Sequence, residues 1–161
     1  MKKAFIILVV ILTTSFVAEA QTLPAKAKTF LKNNYPDWEI TKFHKVEYQE
    51  NKSVAKGDFN GDGKTDYAVV ITKDERVYTL VLFASKNSYK AVNLLAQSPD
   101  EHWIAGIGMV KKGDKLDVYN DQQELVKSFR LKTDGVYLYD GEGHGRTYYW
   151  QGGKFLWTHD F

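Results

Sequence analysis

Apolar residues near the start of the chain recur at helical spacing. They occupy positions 23, 27, 30 and 31, and lysines fill several of the positions between them. Thr22 can cap this segment, and Pro36 cannot continue a helix. We therefore predict one N-terminal helix whose lysine side faces water.

Most of the remaining chain consists of short β-prone runs separated by turn residues. The runs Tyr67 to Thr72 and Arg76 to Ala84 flank the polar turn 73–75 and predict a central hairpin. Apolar residues occupy both faces of the first run, so we expect it to be the innermost strand. In the segment 97–113, Ile104, Ile107 and Val110 predict a short packed element, and the pattern does not assign it to helix or strand. Further strands are predicted at 43–48, 89–95, 125–131, 136–139, 146–150 and 154–158, the last two joined by Gly152-Gly153.

These elements predict an α+β fold class, with one N-terminal helix and a dominant antiparallel β-sheet of meander or hairpin type. The sequence contains no internal repeat and no low-complexity segment. Aromatic residues make up 14% of the chain, which argues against disorder. We expect residues 21–161 to form a single β-rich domain.

The first 20 residues have the pattern of a secretory signal peptide. Two lysines precede an apolar run at 4–17, and Ala18-Glu19-Ala20 gives a small-residue cleavage site before Gln21. The apolar run is shorter than the roughly 20 residues that a membrane-spanning helix needs. We therefore predict a secreted or periplasmic protein without a membrane span after cleavage. An uncleaved anchor is the alternative.

Composition excludes several classes of protein. The chain has no cysteine, so disulfides and a lipoprotein acylation site are absent. Its formal net charge of +2 gives no reason to expect a nucleic acid or an anionic membrane as partner.

The run from Asp58 to Asp66 has the composition of a calcium-binding loop. Calcium takes six to eight oxygen ligands at about 2.3–2.6 Å, and a short loop supplies them by turning alternate residues inward. Gly63 lies where the sharpest bend is expected. The alternative is an ordinary polar turn, since Asn-Gly and Asp-Gly are common turn dipeptides. The expected ligands are the side chains of Asp58, Asn60, Asp62 and Asp66 and the backbone carbonyl of Lys64.

This run resembles the calcium loops of FG-GAP and VCBS-type repeats, as in integrin α-subunit propellers, where Asp-x-Asn-x-Asp-Gly-x-x-Asp leads directly into a β-strand. The resemblance covers residues 57–71 and occurs once, whereas a propeller needs at least four blades. It therefore implies a bound Ca²⁺ and not the whole architecture. Val69 stands where an EF-hand has its bidentate Glu. The chain is also similar to small exported bacterial proteins that combine one such loop with a Tyr-Tyr-Trp-x-Gly-Gly-Lys-Phe type ending.

Other groups with chemical potential are interpreted as structural. Three same-face pairs of aromatic residues, at 137/139, 148/150 and 155/157, favour a core over a platform for sugars or protein partners. The four histidines lack the spacing of a zinc site, and no nucleophile motif is present. Glu142 and His144 lie in a glycine-rich connection that more simply marks a long hairpin turn.

The sequence therefore predicts an exported, non-catalytic calcium-binding module with an unknown protein or glycan partner. No residue is assigned a catalytic role. The alternative is a calcium-dependent hydrolase with a site near Glu142 and His144.

Overall fold

The structure, a computed structural model, describes residues 22–43, 52–98, 100, 103–120, 122, 124–142 and 144–160. This part of the chain is mainly antiparallel β-sheet with one short helix, which is consistent with the α+β class. The predicted signal peptide and positions 44–48 of the first predicted strand lie outside it. The elements are α1 (Ala25–Asn34), β1 (Glu39–Ile40), β2 (Val54–Gly57), β3 (Asp66–Lys73), β4 (Arg76–Ala84), β5 (Tyr89–Gln97), β6 (Gly106–Val110), β7 (Lys115–Tyr119), β8 (Leu125–Arg130), β9 (Gly135–Tyr139), β10 (Gly145–Gln151) and β11 (Lys154–Asp160).

The first sheet has the order β1-β3-β4-β5, and β2 pairs with the same edge of β3 as β1. The predicted central hairpin is confirmed: β3 and β4 pair from Tyr67 with Leu82 to Lys73 with Arg76. Its two turn residues, Asp74 and Glu75, have φ of 48° and 56°. Positive φ at both turn positions matches the twist of the flanking strands.

The second sheet has the order β11-β10-β9-β6, and β7 and β8 form a separate antiparallel pair. The predicted hairpin at Gly152-Gly153 is also confirmed, with φ of 61° and 81° at the two glycines. β6 lies in the segment 97–113, where the sequence predicted a short packed element of unassigned type, and β7 was not predicted.

β3 is buried on both faces, as predicted. On one face it packs against the helix, where Ala27 and Leu31 meet Val69 and Ile71. On the other face lies the core shared with the second sheet. The buried members of that core are Ala55, Phe59, Ala68, Val70, Val77, Val81, Phe83, Ile104, Ile107, Val136, Leu138 and Tyr148.

The helix begins differently from the prediction. Its N-cap residue is Pro24, which makes no side-chain cap, and not Thr22. The carbonyl of Pro24 accepts the N–H groups of Ala27 and Lys28 instead. The helix ends at Asn34, before Pro36, as expected. Among the described residues no helix is long and apolar enough to span a membrane.

Candidate calcium site

The loop of residues 58–65 connects two paired strands. β2 and β3 are antiparallel, and Gly57 opposite Asp66 is the last pair before the loop. Phe59 is fully buried in the core between the sheets, while residues 61–65 at the tip are exposed. The loop is therefore anchored at its base and open to solvent at its tip.

The Asp58 carboxylate organises the tip by binding two backbone N–H groups. Its Oδ1 accepts the N–H of Gly61 at 2.8 Å, and its Oδ2 accepts that of Gly63 at 3.0 Å. The φ angles of these glycines are 80° and 77°, a region that other residues rarely adopt. Each carboxylate oxygen has about two acceptor sites, so one N–H per oxygen leaves capacity for a cation.

Asn60 and Asp62 continue the same pattern along the loop. Asn60 Oδ1 accepts the Asp62 N–H at 2.9 Å, and Asp62 Oδ1 accepts the Lys64 N–H at 3.0 Å. Asp62 Oδ2 also lies 2.8 Å from Lys64 Nζ. This hydrogen bond from the ammonium group lowers the pKa of Asp62. Lys64 therefore acts here through its side chain, whereas the sequence predicted a role for its carbonyl.

Asp66 fixes the other end of the loop from inside the protein. Its side chain is 0% exposed, its Oδ2 accepts the Phe59 N–H at 3.1 Å and its Oδ1 accepts the Ala84 N–H at 2.8 Å. Burial raises the pKa of Asp66 to about 6, although hydrogen bonds from the backbones of Ala84, Phe59 and Asn60 oppose this effect. In the described part of the chain, no lysine or arginine forms an ion pair with it.

Asp134 is a further residue of this region, which the predicted ligand set does not include. Its Oδ2 accepts the Asp58 N–H at 2.8 Å, and its Oδ1 accepts the Lys112 N–H at 2.9 Å. The Asp134 N–H in turn donates to the Asp58 carbonyl at 3.1 Å. Because Asp134 directly precedes β9, these bonds join the loop to the second sheet. The sequence carries no signal for this contact, which spans 76 positions.

Glycines allow this close approach. A Cβ on Gly57 would lie 2.9 Å from Phe59 Cε1 and 3.0 Å from Asp134 Oδ2. A Cβ on Gly61 would lie 2.9 Å from Thr133 Cγ2. Side chains at either position would push the loop away from the connection between β8 and β9.

The loop matches calcium in the chemistry of its donors. Hard carboxylate, amide and carbonyl oxygens are the ligands that calcium prefers. The described residues do not gather three Asp, Glu, His or Cys side chains into one metal-binding group. All the expected ligands lie on one loop, but Asp62 faces Lys64 and Asp66 faces inward. Calcium binding would therefore require Asp62 to leave the Lys64 ammonium.

A second feature is a surface cavity of about 240 Å³ at the far end of β9 from Asp134. Asp140 Oδ1 there accepts the N–H groups of Glu142 at 2.8 Å and His144 at 3.0 Å, and its Oδ2 lies 3.4 Å from His144 Nδ1. Burial acts to raise the pKa of Asp140, but these bonds hold it below its usual value. Glu142 is exposed and is not among the described lining residues, which are Trp103, Asp140, His144, Gly145, Arg146 and His159.

Three of the six aromatic residues in the predicted pairs, Tyr148, Trp150 and Phe155, belong to the core between the sheets or pack against it. Trp150 packs edge-on against Phe83 and Phe155, at centroid distances of 5.0 Å in both cases. Trp157 differs, because β11 is the edge strand of its sheet and leaves this side chain 48% exposed. For Trp157 the expectation of a core position is therefore wrong.

Comparison of the chain with protein-family models, curated proteins and solved structures found no match. Functional inference therefore rests on the residues of the loop and of the cavity.

Proposed function

We propose that the protein is an exported, non-catalytic calcium-binding module, in which calcium stabilises the central hairpin. The domain would be a meander of hairpins after its N-terminal helix, and would recognise a protein or glycan partner. The loop would hold one Ca²⁺ through the side chains of Asp58, Asn60, Asp62 and Asp66 and the carbonyl of Lys64.

The observation that carries this proposal is the buried carboxylate of Asp66. A carboxylate removed from water is unstable in its charged form unless a cation or hydrogen bonds compensate for it. Backbone N–H groups donate to Asp66, yet its pKa is still raised to about 6. A bound Ca²⁺ would supply the missing positive charge beside it.

The position of the loop explains how such a site would stabilise the fold. Asp66 connects the loop to the end of β4 through Ala84, and Asp58 connects it to the second sheet through Asp134. Extracellular modules bind calcium with Kd of about 10⁻⁴–10⁻³ M. A ligand present at one hundred times its Kd, and selective for the native state, adds about 2.7 kcal/mol to the free energy of unfolding.

The test is thermal unfolding of the mature protein in chelator, in millimolar calcium and in millimolar magnesium. We expect calcium to raise Tm more than magnesium does. Asp58→Ala and Asp66→Ala should lower Tm and abolish its dependence on calcium. Asp100→Ala, which removes an exposed acid outside the loop, should retain that dependence. A Tm that is the same in calcium and in chelator would contradict the proposal.

The cavity beside His144 favours a second candidate, a calcium-dependent hydrolase. Its acid and base would come from Asp140 and His144, which are in contact, more readily than from the predicted Glu142, which is exposed. Hydrolysis of chromogenic esters or glycosides by the wild type, lost in His144→Ala, would support this function over a non-catalytic module.

A further inference from the structure

Arg146 lies at the cavity beside two indole rings. Its Cζ is 5.0 Å from the ring centroid of Trp103 and 4.8 Å from that of Trp157. Aromatic faces attract a guanidinium group and restrict its motion, which leaves its N–H edges available for hydrogen bonds. The group is therefore held in a defined orientation before any ligand arrives.

The charge of Arg146 is not neutralised by the described residues around it. None of the described carboxylates forms an ion pair with this arginine. Asp140, the acid that lines the same cavity, is engaged with its own loop through Glu142 and His144. Arg146 also hydrogen-bonds the hydroxyl of Tyr148, but a guanidinium has five N–H donors.

Size and exposure define what could bind here. Pockets that enclose a drug-sized ligand have volumes of about 300–1,000 Å³. A cavity of about 240 Å³ lies below this range, so it fits a small charged ligand better than a drug-sized one. The Trp157 ring contacts Arg146 and His159, and the part of it that remains exposed, 48% of the residue, gives an apolar surface beside the cavity against which a sugar ring could pack.

We propose that this cavity binds an acidic saccharide, with the carboxylate or sulfate group on Arg146 and the sugar ring on Trp157. Arginine binds such planar or tetrahedral oxyanions through paired N–H groups, which gives strength and orientation. The inference deepens the proposed function by naming the class of its glycan partner. It uses none of the loop residues, because the cavity and the loop contact lie at opposite ends of β9.

The binding test is isothermal calorimetry of the full mature protein with four probes: glucuronate, glucose 6-sulfate, glucose and inorganic sulfate. We expect both acidic sugars to bind. The Kd values of glucose and of free sulfate should be at least about tenfold higher. Equal affinity for glucose and glucuronate would overturn the proposal, as would the absence of acidic-sugar binding at millimolar concentration. Binding of free sulfate as tight as that of the sugars would also overturn it.

Two variants test the assigned residues. Arg146→Lys keeps the charge but loses the fork of donors, so glucuronate affinity should fall about tenfold or more. Trp157→Ala removes the exposed ring and one of the two indoles that hold Arg146, so it should weaken the sugars more than it weakens free sulfate. The matched control is Arg76→Lys, an exposed arginine at the start of β4, which should bind as the wild type does. Unchanged glucuronate affinity in both cavity variants would contradict the site, even if one of them were unstable.

The same titration in chelator separates this site from the calcium loop. We expect the affinity for glucuronate to be the same with calcium and with chelator. A Tm without calcium dependence would then refute the calcium loop alone. Equal affinities for acidic and neutral sugars would refute only the proposal that the cavity binds an acidic saccharide.

Discussion

At the scale of single residues, Asp66 is the one buried residue with an ionisable carboxyl group in the described part of the chain. Backbone N–H groups take the place of water around its carboxylate, and its pKa of about 6 shows that they compensate for burial only in part. Asp66 therefore makes stability depend on pH in the opposite direction from an ordinary paired carboxylate.

In chelator, we expect the contribution of Asp66 to decrease as the pH rises from about 4 to about 6. Between these values the native state keeps the proton that the unfolded chain has lost, so the native state binds more protons and its stability falls with rising pH. The change should be about 1–3 kcal/mol, and it should be complete above pH about 6. Urea denaturation across this range measures it.

Asp66→Asn supplies the control for this pH dependence. The lowered pKa values of Asp62, Asp117 and Asp140 act in the opposite sense, and the difference between wild type and variant removes them. Identical pH profiles in chelator would show that Asp66 is not the group responsible. Saturating calcium should abolish the decrease in the wild type, because a cation favours the charged carboxylate.

Lys64 is predicted to compete with calcium for Asp62. Lys64→Ala removes the ammonium group but keeps the backbone carbonyl, so calcium affinity should rise. The rise should be less than about tenfold in Kd, because exposed ion pairs are weak. Calorimetric titration with calcium measures it. Lys90→Ala, an exposed lysine on β5, is the control, and a lower affinity in Lys64→Ala would contradict the competition.

At the scale of elements, the hairpins could be predicted because their signals are local. β-prone runs flank Asp74-Glu75 and Gly152-Gly153, and positive φ at the two glycines follows from turn chemistry, whereas glutamate is not among the residues that favour the positive φ of Glu75. β6 could be predicted as a packed element but not as a strand, because glycine weakens the strand pattern. A Cβ on Gly106 would lie 2.1 Å from Tyr139 Oη, so this glycine is required by a neighbouring strand and not by its own.

The close approach of β9 and β10 gives a prediction for a second glycine. A Cβ on Gly145 would lie 2.6 Å from the Leu138 carbonyl oxygen, which belongs to the backbone and cannot move aside easily. Gly145→Ala should therefore lower the free energy of unfolding by about 1–3 kcal/mol. In Gly108→Ala the nearest atom is 3.8 Å away, in the side chain of Tyr137, so that variant should be nearly neutral. Equal urea midpoints for the two variants would contradict this explanation.

At the scale of the whole molecule, residues far apart in sequence come together at the proposed calcium loop and at the cavity beside Arg146. The expected calcium ligands fall within nine consecutive positions, so the sequence alone could propose them. Asp134 and the pair of Trp103 with Arg146 could not be found in this way, because the pairing of β9 with its neighbours brings them into place. The ligands within the loop could therefore be proposed from the sequence, whereas the contacts that depend on the arrangement of the strands could not.

Asp134→Asn tests that connection. The Asp58 and Lys112 N–H groups bind different oxygens of Asp134, so in the amide an NH₂ group replaces one of these acceptors and faces either the half-buried Asp58 N–H or the exposed Lys112 N–H. We expect a loss of about 1–3 kcal/mol in the free energy of unfolding, together with weaker calcium binding. Asp114→Asn is the matched control, because Asp114 accepts the Lys111 N–H within one turn and joins no sheets. A larger loss in the control would contradict the role of Asp134.

The buried ring of Phe59 has a consequence for how the protein responds to its surroundings. Because this side chain belongs to the core, the base of the loop is fixed whether or not the tip holds an ion. Removal of a bound Ca²⁺ would therefore make the few exposed residues at the tip more flexible and leave the sheets assembled. The domain would therefore remain folded in surroundings that lack calcium, and its loop would become rigid again when calcium returned.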